Sequence, residues 1–137
     1  MLKNLTRFTT ATLLASSLSA SAIAKPEIKD NAEIFNRLLT AAIGHEIRDK
    51  CPTIEARRIA ATLYVLGIVS YASSQGFSRA EIDAYRKTKS EQDRLRAATY
   101  AYLEKNGVDR DQPETYCTLG QAEMTKNSQI GKLLKYK

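Results

Sequence analysis

The first 24 residues constrain this chain most, because they decide what is left to fold and in which compartment. Lys3 and Arg7 give a positive start, and the stretch after Phe8 up to Ala22 has no acid and is built from Ala, Leu, Thr and Ser. Ala22-Ile23-Ala24 then places small residues at the two positions that a signal peptidase reads. This is the make-up of a secretory signal peptide, with cleavage expected after Ala24. The alternative is an uncleaved membrane anchor. The segment from Phe8 to Ala24 is interrupted by Thr and Ser, however, and is shorter than the roughly 20 apolar residues that span a bilayer. The residue directly after the cleavage site is Lys25 and not a cysteine, which argues against a lipoprotein anchor. The expected organisation is a signal peptide over residues 1–24 and a single domain over residues 25–137, with no transmembrane span after cleavage. The domain is long enough for one modest core. Its expected place is the periplasm or the extracellular space.

Cleavage removes two basic residues and no acid, so the formal charge of +6 falls to about +4. A mildly basic secreted surface of mixed sign points to no nucleic-acid partner. The mature chain holds two cysteines, Cys51 and Cys117. In an oxidising compartment a pair in a small domain is read as a disulfide. Their separation excludes a C-x-x-C redox motif. A loop of this length, about 66 residues, gives roughly 4 kcal/mol of stabilisation in the chain-entropy view.

The apolar pattern is helical throughout the mature chain, and an all-α single-domain bundle of four to five helices with one disulfide is expected. Ile34, Phe35, Leu38, Leu39, Ala42, Ile43 and Ile47 recur at steps of three and four, which predicts a helix from about Ala32 to Lys50, capped by Asn31 or Asp30. Pro52 ends it. A second helix is predicted from about Thr53 to Gln75, stopped by Gly76. Its middle, IAATLYVLGIVSYA, is apolar nearly all round, which implies a central helix buried on several sides. Ser78 and Glu81 form an S-x-x-E capping box, with Phe77 and Ile82 at the spacing of a hydrophobic staple. The third helix runs toward Asn106 and Gly107, but RKTKSEQDR, from Arg86 to Arg94, has no apolar residue. One long helix with an exposed middle and two shorter helices both fit that gap. Asp111, Pro113 and Glu114 repeat the capping spacing before a fourth helix with Tyr116, Cys117, Leu119, Gly120 and Met124. Ser128 can cap a last short segment carrying Ile130, Leu133 and Leu134. The basic tail of Lys132, Lys135 and Lys137 is expected to pack over the core, or to lie on an anionic membrane.

The residues that carry chemistry are few. His45 is the only histidine, and with Asp49 it supplies two metal ligands at most, too few for a site. No G-x-S-x-G elbow, phosphate-binding glycine loop, HExxH or EF-hand loop occurs. Glu46 and Asp49 make an ordinary pair of helix-surface carboxylates. No catalytic residue, metal or cofactor is therefore expected, and a hydrolase using His45 is the outside reading. The basic run Arg86, Lys87, Lys89, Arg94 and Arg96 is interleaved with Glu91 and Asp93, which can pair with Lys87 and Lys89. A solvated helix face explains the run. Its functional reading is a contact face for an acidic partner or an anionic membrane surface. Seven tyrosines and no tryptophan fit core packing with hydroxyls reaching the surface.

Three segments carry a resemblance: HEIRDKCPTIEAR around Cys51, GFSRAEIDAY from Gly76 to Tyr85, and YCTLGQAEMTKNSQIGKLL from Tyr116 to Leu134. Together they resemble an uncharacterised family of small secreted alphaproteobacterial proteins, a domain of unknown function. The resemblance implies a signal peptide, an all-helical domain and two paired cysteines, and no activity or catalytic residue. The expected function is a non-enzymatic module that binds an unknown protein partner or the envelope surface. Two alternatives are a periplasmic stress chaperone and an immunity or inhibitor protein of a secreted enzyme.

Overall fold

The computed structural model describes residues 24–137, so the signal-peptide reading of residues 1–23 lies outside the described residues. After a 3-10 turn at Ile28–Asp30, the described chain forms α1 (Ala32–Lys50), β1 (Ile54–Ala56), α2 (Arg58–Ser74), α3 (Arg79–Lys87), α4 (Lys89–Lys105), α5 (Pro113–Thr125), a 3-10 turn at Gly131–Leu133 and β2 (Leu134–Tyr136). The expected helical bundle is present, with five helices among the described residues and the disulfide Cys51–Cys117.

Both ends of α1 fall where the apolar stripe predicts. The Asn31 side chain accepts the Ile34 N–H at 3.0 Å, and Cys51 closes the helix before Pro52. The Ser78–Glu81 capping box is complete at the start of α3, and Phe77 and Ile82 pack in one cluster beside it. The gap in apolar residues resolves into two helices that break at Thr88. The Thr88 hydroxyl bonds back to the Ala84 carbonyl, and the Gln92 amide donates to the Arg86 carbonyl. These side chains serve carbonyls at the end of α3 that no next turn satisfies.

Three helices end in the same way. Gly76, Gly107 and Asn127 take positive φ, and each donates its N–H to the carbonyl three residues back. The following residues, Phe77, Val108 and Ser128, donate to Ala72, Leu103 and Glu123 five residues back. This is the Schellman arrangement, which satisfies final-turn carbonyls and turns the chain back onto the core.

Three expectations are corrected. The second helix does not start at Thr53: Ile54–Ala56 pairs antiparallel with Leu134–Tyr136, Glu55 facing Lys135. A three-residue strand is too short to show alternation, so the small sheet left no pattern to read. Asp111 does not cap α5. Pro113 is its first residue, Gln112 its N-cap, and the Asp109 carboxylate orders the turn by accepting the Asp111 N–H and the Gln112 amide. Finally, α2 is not central. That place belongs to α1, which packs against α2, α4, α5 and the C-terminal segment. Only Ile68 and Ala72 of α2 are buried, while Ile59, Leu63, Val65 and Leu66 are exposed.

The core lies in two clusters along α1. One gathers Ile43, Ile47, Cys51, Ile54, Leu103, Tyr116 and Leu134 around the disulfide. The other gathers Ile34, Ile68, Ala72 and Phe77 where α2 crosses α1 and the chain turns into α3. Gly120 lets α5 approach closely: a Cβ there would lie 2.6 Å from Ile54 Cδ1 and 2.7 Å from Ile47 Cγ2. The basic tail packs rather than hangs free, with Ile130, Leu133 and Leu134 buried.

Candidate functional site

The basic residues singled out in the sequence divide between α3 and α4, and local acids answer most of them. Arg86 lies 3.6 Å from Asp83, Lys89 2.7 Å from Asp93, and Arg96 3.3 Å from the same Asp93. The Lys89 ammonium, first among the causes, holds the Asp93 carboxyl below its usual range. Glu91 pairs with Arg94 at 2.9 Å instead of Lys87. Arg94 also turns inward, stacking over the Phe35 ring at 4.1 Å and donating to the Lys29 carbonyl. It therefore ties α4 to the start of α1. Arg86, Lys87, Lys89 and Arg96 are exposed, and Arg94 keeps 44 % of its side chain exposed despite these contacts.

Beside this segment lies an apolar groove of about 180 Å³. Ile34, Leu38 and Ala41 of α1 form its floor, Val65, Ile68 and Val69 of α2 one wall, and Leu95 of α4 the other. Ile82 and Tyr85 of α3 close one end. Burial pushes the Tyr85 hydroxyl up, and the Glu91 carboxylate adds to the shift. The polar lining is Arg86, Glu91 and Gln92, so the groove is apolar inside and meets the basic segment at its edge. At this size it fits a side chain or two, since sites for drug-sized ligands run to roughly 300–1,000 Å³.

A second constellation escaped the sequence reading. Glu123 is fully buried between α4 and the C-terminal turn, where it accepts hydrogen bonds from the Tyr102 hydroxyl at 2.7 Å and from the Ser128 hydroxyl. Lys126 pairs with it at 2.6 Å from a half-exposed position. Burial pushes the carboxyl up, but the Lys126 ammonium and the two hydroxyls outweigh it and leave it below its ordinary value. Burial, with Glu123 as acceptor, raises the Tyr102 hydroxyl to about 12. The signal was present in the sequence: Tyr116, Leu119, Gly120 and Glu123 share the stripe by which α5 meets the core. Every polar atom of this cluster has a protein partner, so it is built as a clamp between α4, α5 and the tail.

His45 is exposed, and its Nδ1 lies 2.9 Å from an Arg48 nitrogen, while Asp49 faces Lys50. The two are not joined in a site. Among the described residues, no group of three or more His, Cys, Asp or Glu side chains is arranged to hold a metal. An open polar cleft of about 490 Å³ lies near Tyr116, lined by Glu46, Lys50, Glu104, Asp109 and Arg110 among others. Arg110 stacks on Tyr100 there, at 4.5 Å. Among the described residues, no helix is long and apolar enough to cross a membrane.

No curated protein and no solved structure matches the chain. The family DUF5333, a family of unknown function, matches it over residues 26–135. That span takes in the whole helical domain, both cysteines, the groove and the Glu123 clamp, and the chain belongs to this family.

Proposed function

We propose that this protein is a non-enzymatic binding module of the periplasm or extracellular space. It takes an apolar side chain of a partner protein into the groove between α2 and α4 and sets the partner's neighbouring acids against the Arg86–Arg96 segment. The observation that supports this is the groove itself: an almost wholly apolar hollow of about 180 Å³ beside a segment whose cations outnumber its acids. The disulfide is in keeping with an oxidising compartment.

The test is cross-linking in the native host from a photoreactive residue placed at Gln92, at the groove edge. One dominant partner is expected. Its capture should fall with Val65→Glu, which charges a half-exposed groove wall, and with the double change Lys87→Glu and Lys89→Glu. Capture that ignores both changes, or no capture, sinks the reading. A secreted enzyme as the captured partner would make the protein an inhibitor.

The exposed apolar side chains of α2 favour a second reading, a stress chaperone. That reading expects many unrelated clients in the same experiment and strong binding of a hydrophobic dye at low pH.

A further inference from the structure

The side of α2 turned away from α1 carries Ile59, Leu63 and Leu66, exposed by 79, 62 and 58 %. With Ser70 they recur at steps of four, three and four, the spacing of a seam along which two helices pack. Between Ile59 and Ser74 the flanks of this seam hold no charge, with Thr62 and Ser73 on one side and Ala60 and Gly67 on the other. The charged side chains Glu55, Arg57, Arg58 and Lys135 gather only at its N-terminal end, beside Ile59 and Leu63. A Cβ built on Gly67 meets nothing within 4 Å, so another backbone can come close there. A helix that lies on a membrane carries lysines and arginines along its polar flanks. An apolar seam with uncharged flanks has instead the make-up of a protein interface core.

The ends of the helix indicate which protein. Arg57 is the N-cap of α2 and Arg58 its first residue, the first turn holds no acid, and the last turn holds no base. Both ends thus lack the charge that complements the helix dipole, and the N-terminus carries charge that opposes it. A second copy laid antiparallel on the seam corrects both ends together. Leu63 of each copy then meets Leu66 of the other, and Arg58 of each reaches the C-terminal turn of the other. A parallel copy would bring the arginines side by side.

We propose that α2 is the interface of a two-fold homodimer formed by antiparallel α2–α2 packing. Such an interface is self-complementary, as the seam and its ends are. One helix face about 22 Å long and about 10 Å wide falls short of the roughly 800 Å² per partner of a standard interface. The dimer is therefore a weak one that dissociates on dilution. This inference is independent of the groove, which lies on another side of α2.

Sedimentation equilibrium of the mature protein over a wide concentration series tests it. A monomer–dimer equilibrium is expected. Leu63→Glu should raise the dissociation constant by at least about tenfold, with circular dichroism unchanged. The thermal midpoint should also be unchanged at concentrations where the protein is monomeric, because the site is exposed in the monomer. Arg58→Glu should also weaken the dimer, and Arg58→Lys should largely preserve it. Monomer at every concentration overturns the proposal, as does a dimer that ignores Leu63→Glu. A monomer that binds anionic phospholipid vesicles, and loses that binding with Leu63→Glu, also overturns it and assigns the seam to a membrane surface. In every case the groove's partner capture is read separately, through Val65→Glu.

Discussion

Glu123 is the residue on which most structure converges, because a buried carboxylate survives only where hydrogen bonds and a countercharge replace water. Glu123→Ala leaves the Tyr102 and Ser128 hydroxyls without their acceptor and should cost about 3 kcal/mol in a urea melt. Glu123→Gln keeps an acceptor and loses the charge, and should cost about 1–2 kcal/mol, since Lys126 is half-exposed and its pairing is screened. The pH dependence follows from the two shifts. The Glu123 carboxyl is lowered in the fold, so its contribution is complete above the ordinary carboxyl range and is lost as pH falls through the folded value. The Tyr102 hydroxyl is raised to about 12, so its contribution is complete below the ordinary tyrosine value near 10 and is lost as pH rises through 12. Glu123→Gln should flatten stability against pH at both ends, and unchanged acid and alkaline limbs would contradict the clamp. Gly131 makes a sharper steric test at the same place. Its Cβ would run into the Glu123 carbonyl and lie 2.7 Å from the Met124 nitrogen, backbone atoms that cannot swing aside. Gly131→Ala should therefore destabilise more than Gly120→Ala, where the opposing atoms are ends of isoleucine side chains and about 1–3 kcal/mol is expected.

At the scale of elements, α3 depends on its cap more than on burial, because none of its residues is buried. The Glu81 side chain accepts the Ser78 N–H at 2.6 Å, and Lys25 pairs with it at 2.9 Å. The Lys25 contact, followed by the Ser78 bonds, lowers the Glu81 carboxyl to about 2. A lowered carboxyl contributes above its ordinary range and loses that contribution as pH falls toward 2. Protection of the Ile82 amide, which bonds the Ser78 carbonyl, should then decline between about pH 4.5 and pH 2 in hydrogen exchange. Ser78→Ala should cost about 1 kcal/mol and weaken that protection at neutral pH. The cap was legible in the sequence because it needs only two side chains at a fixed spacing, and the ends of α1 were legible because its apolar stripe is one-sided. The orientation of α2 was not legible. A helix apolar on every side gives no period from which to choose a buried face, and α1 took the centre because it meets α2, α4 and α5. The groove follows from that choice and was equally hidden. The basic run was legible as residues but not as a face, because Arg94 packs on Phe35 and points away from its neighbours' surroundings.

In the whole molecule, the disulfide and the β1–β2 pair fasten the end of α1 to the start of α5 and to the tail, with Cys51 and Cys117 Cα atoms 5.0 Å apart. The expectation that the two cysteines pair is met by this arrangement. The cross-link closes a loop that contains α2, α3 and α4, 66 residues in sequence separation. Yet the two core clusters do not share its benefit equally. The cluster around the disulfide holds most of the fully buried side chains, whereas α2 and α3 rest on Ile34, Ile68, Ala72 and Phe77. The α2–α3 portion should thus open on its own, at a lower free energy than global unfolding, while α1 and α5 stay joined. That opening leaves the cross-linked ends in place, so its free energy should not depend on the disulfide. Global unfolding should depend on it strongly, because reduction frees a loop whose closure is worth roughly 4 kcal/mol. Native-state hydrogen exchange before and after reduction separates the two. The slowest amides of α1 and α5 should lose roughly that amount of protection, with the α2 and α3 amides nearly unchanged. Equal losses across all five helices would mean that the domain opens as one unit, and that its two clusters are a feature of packing without a counterpart in motion.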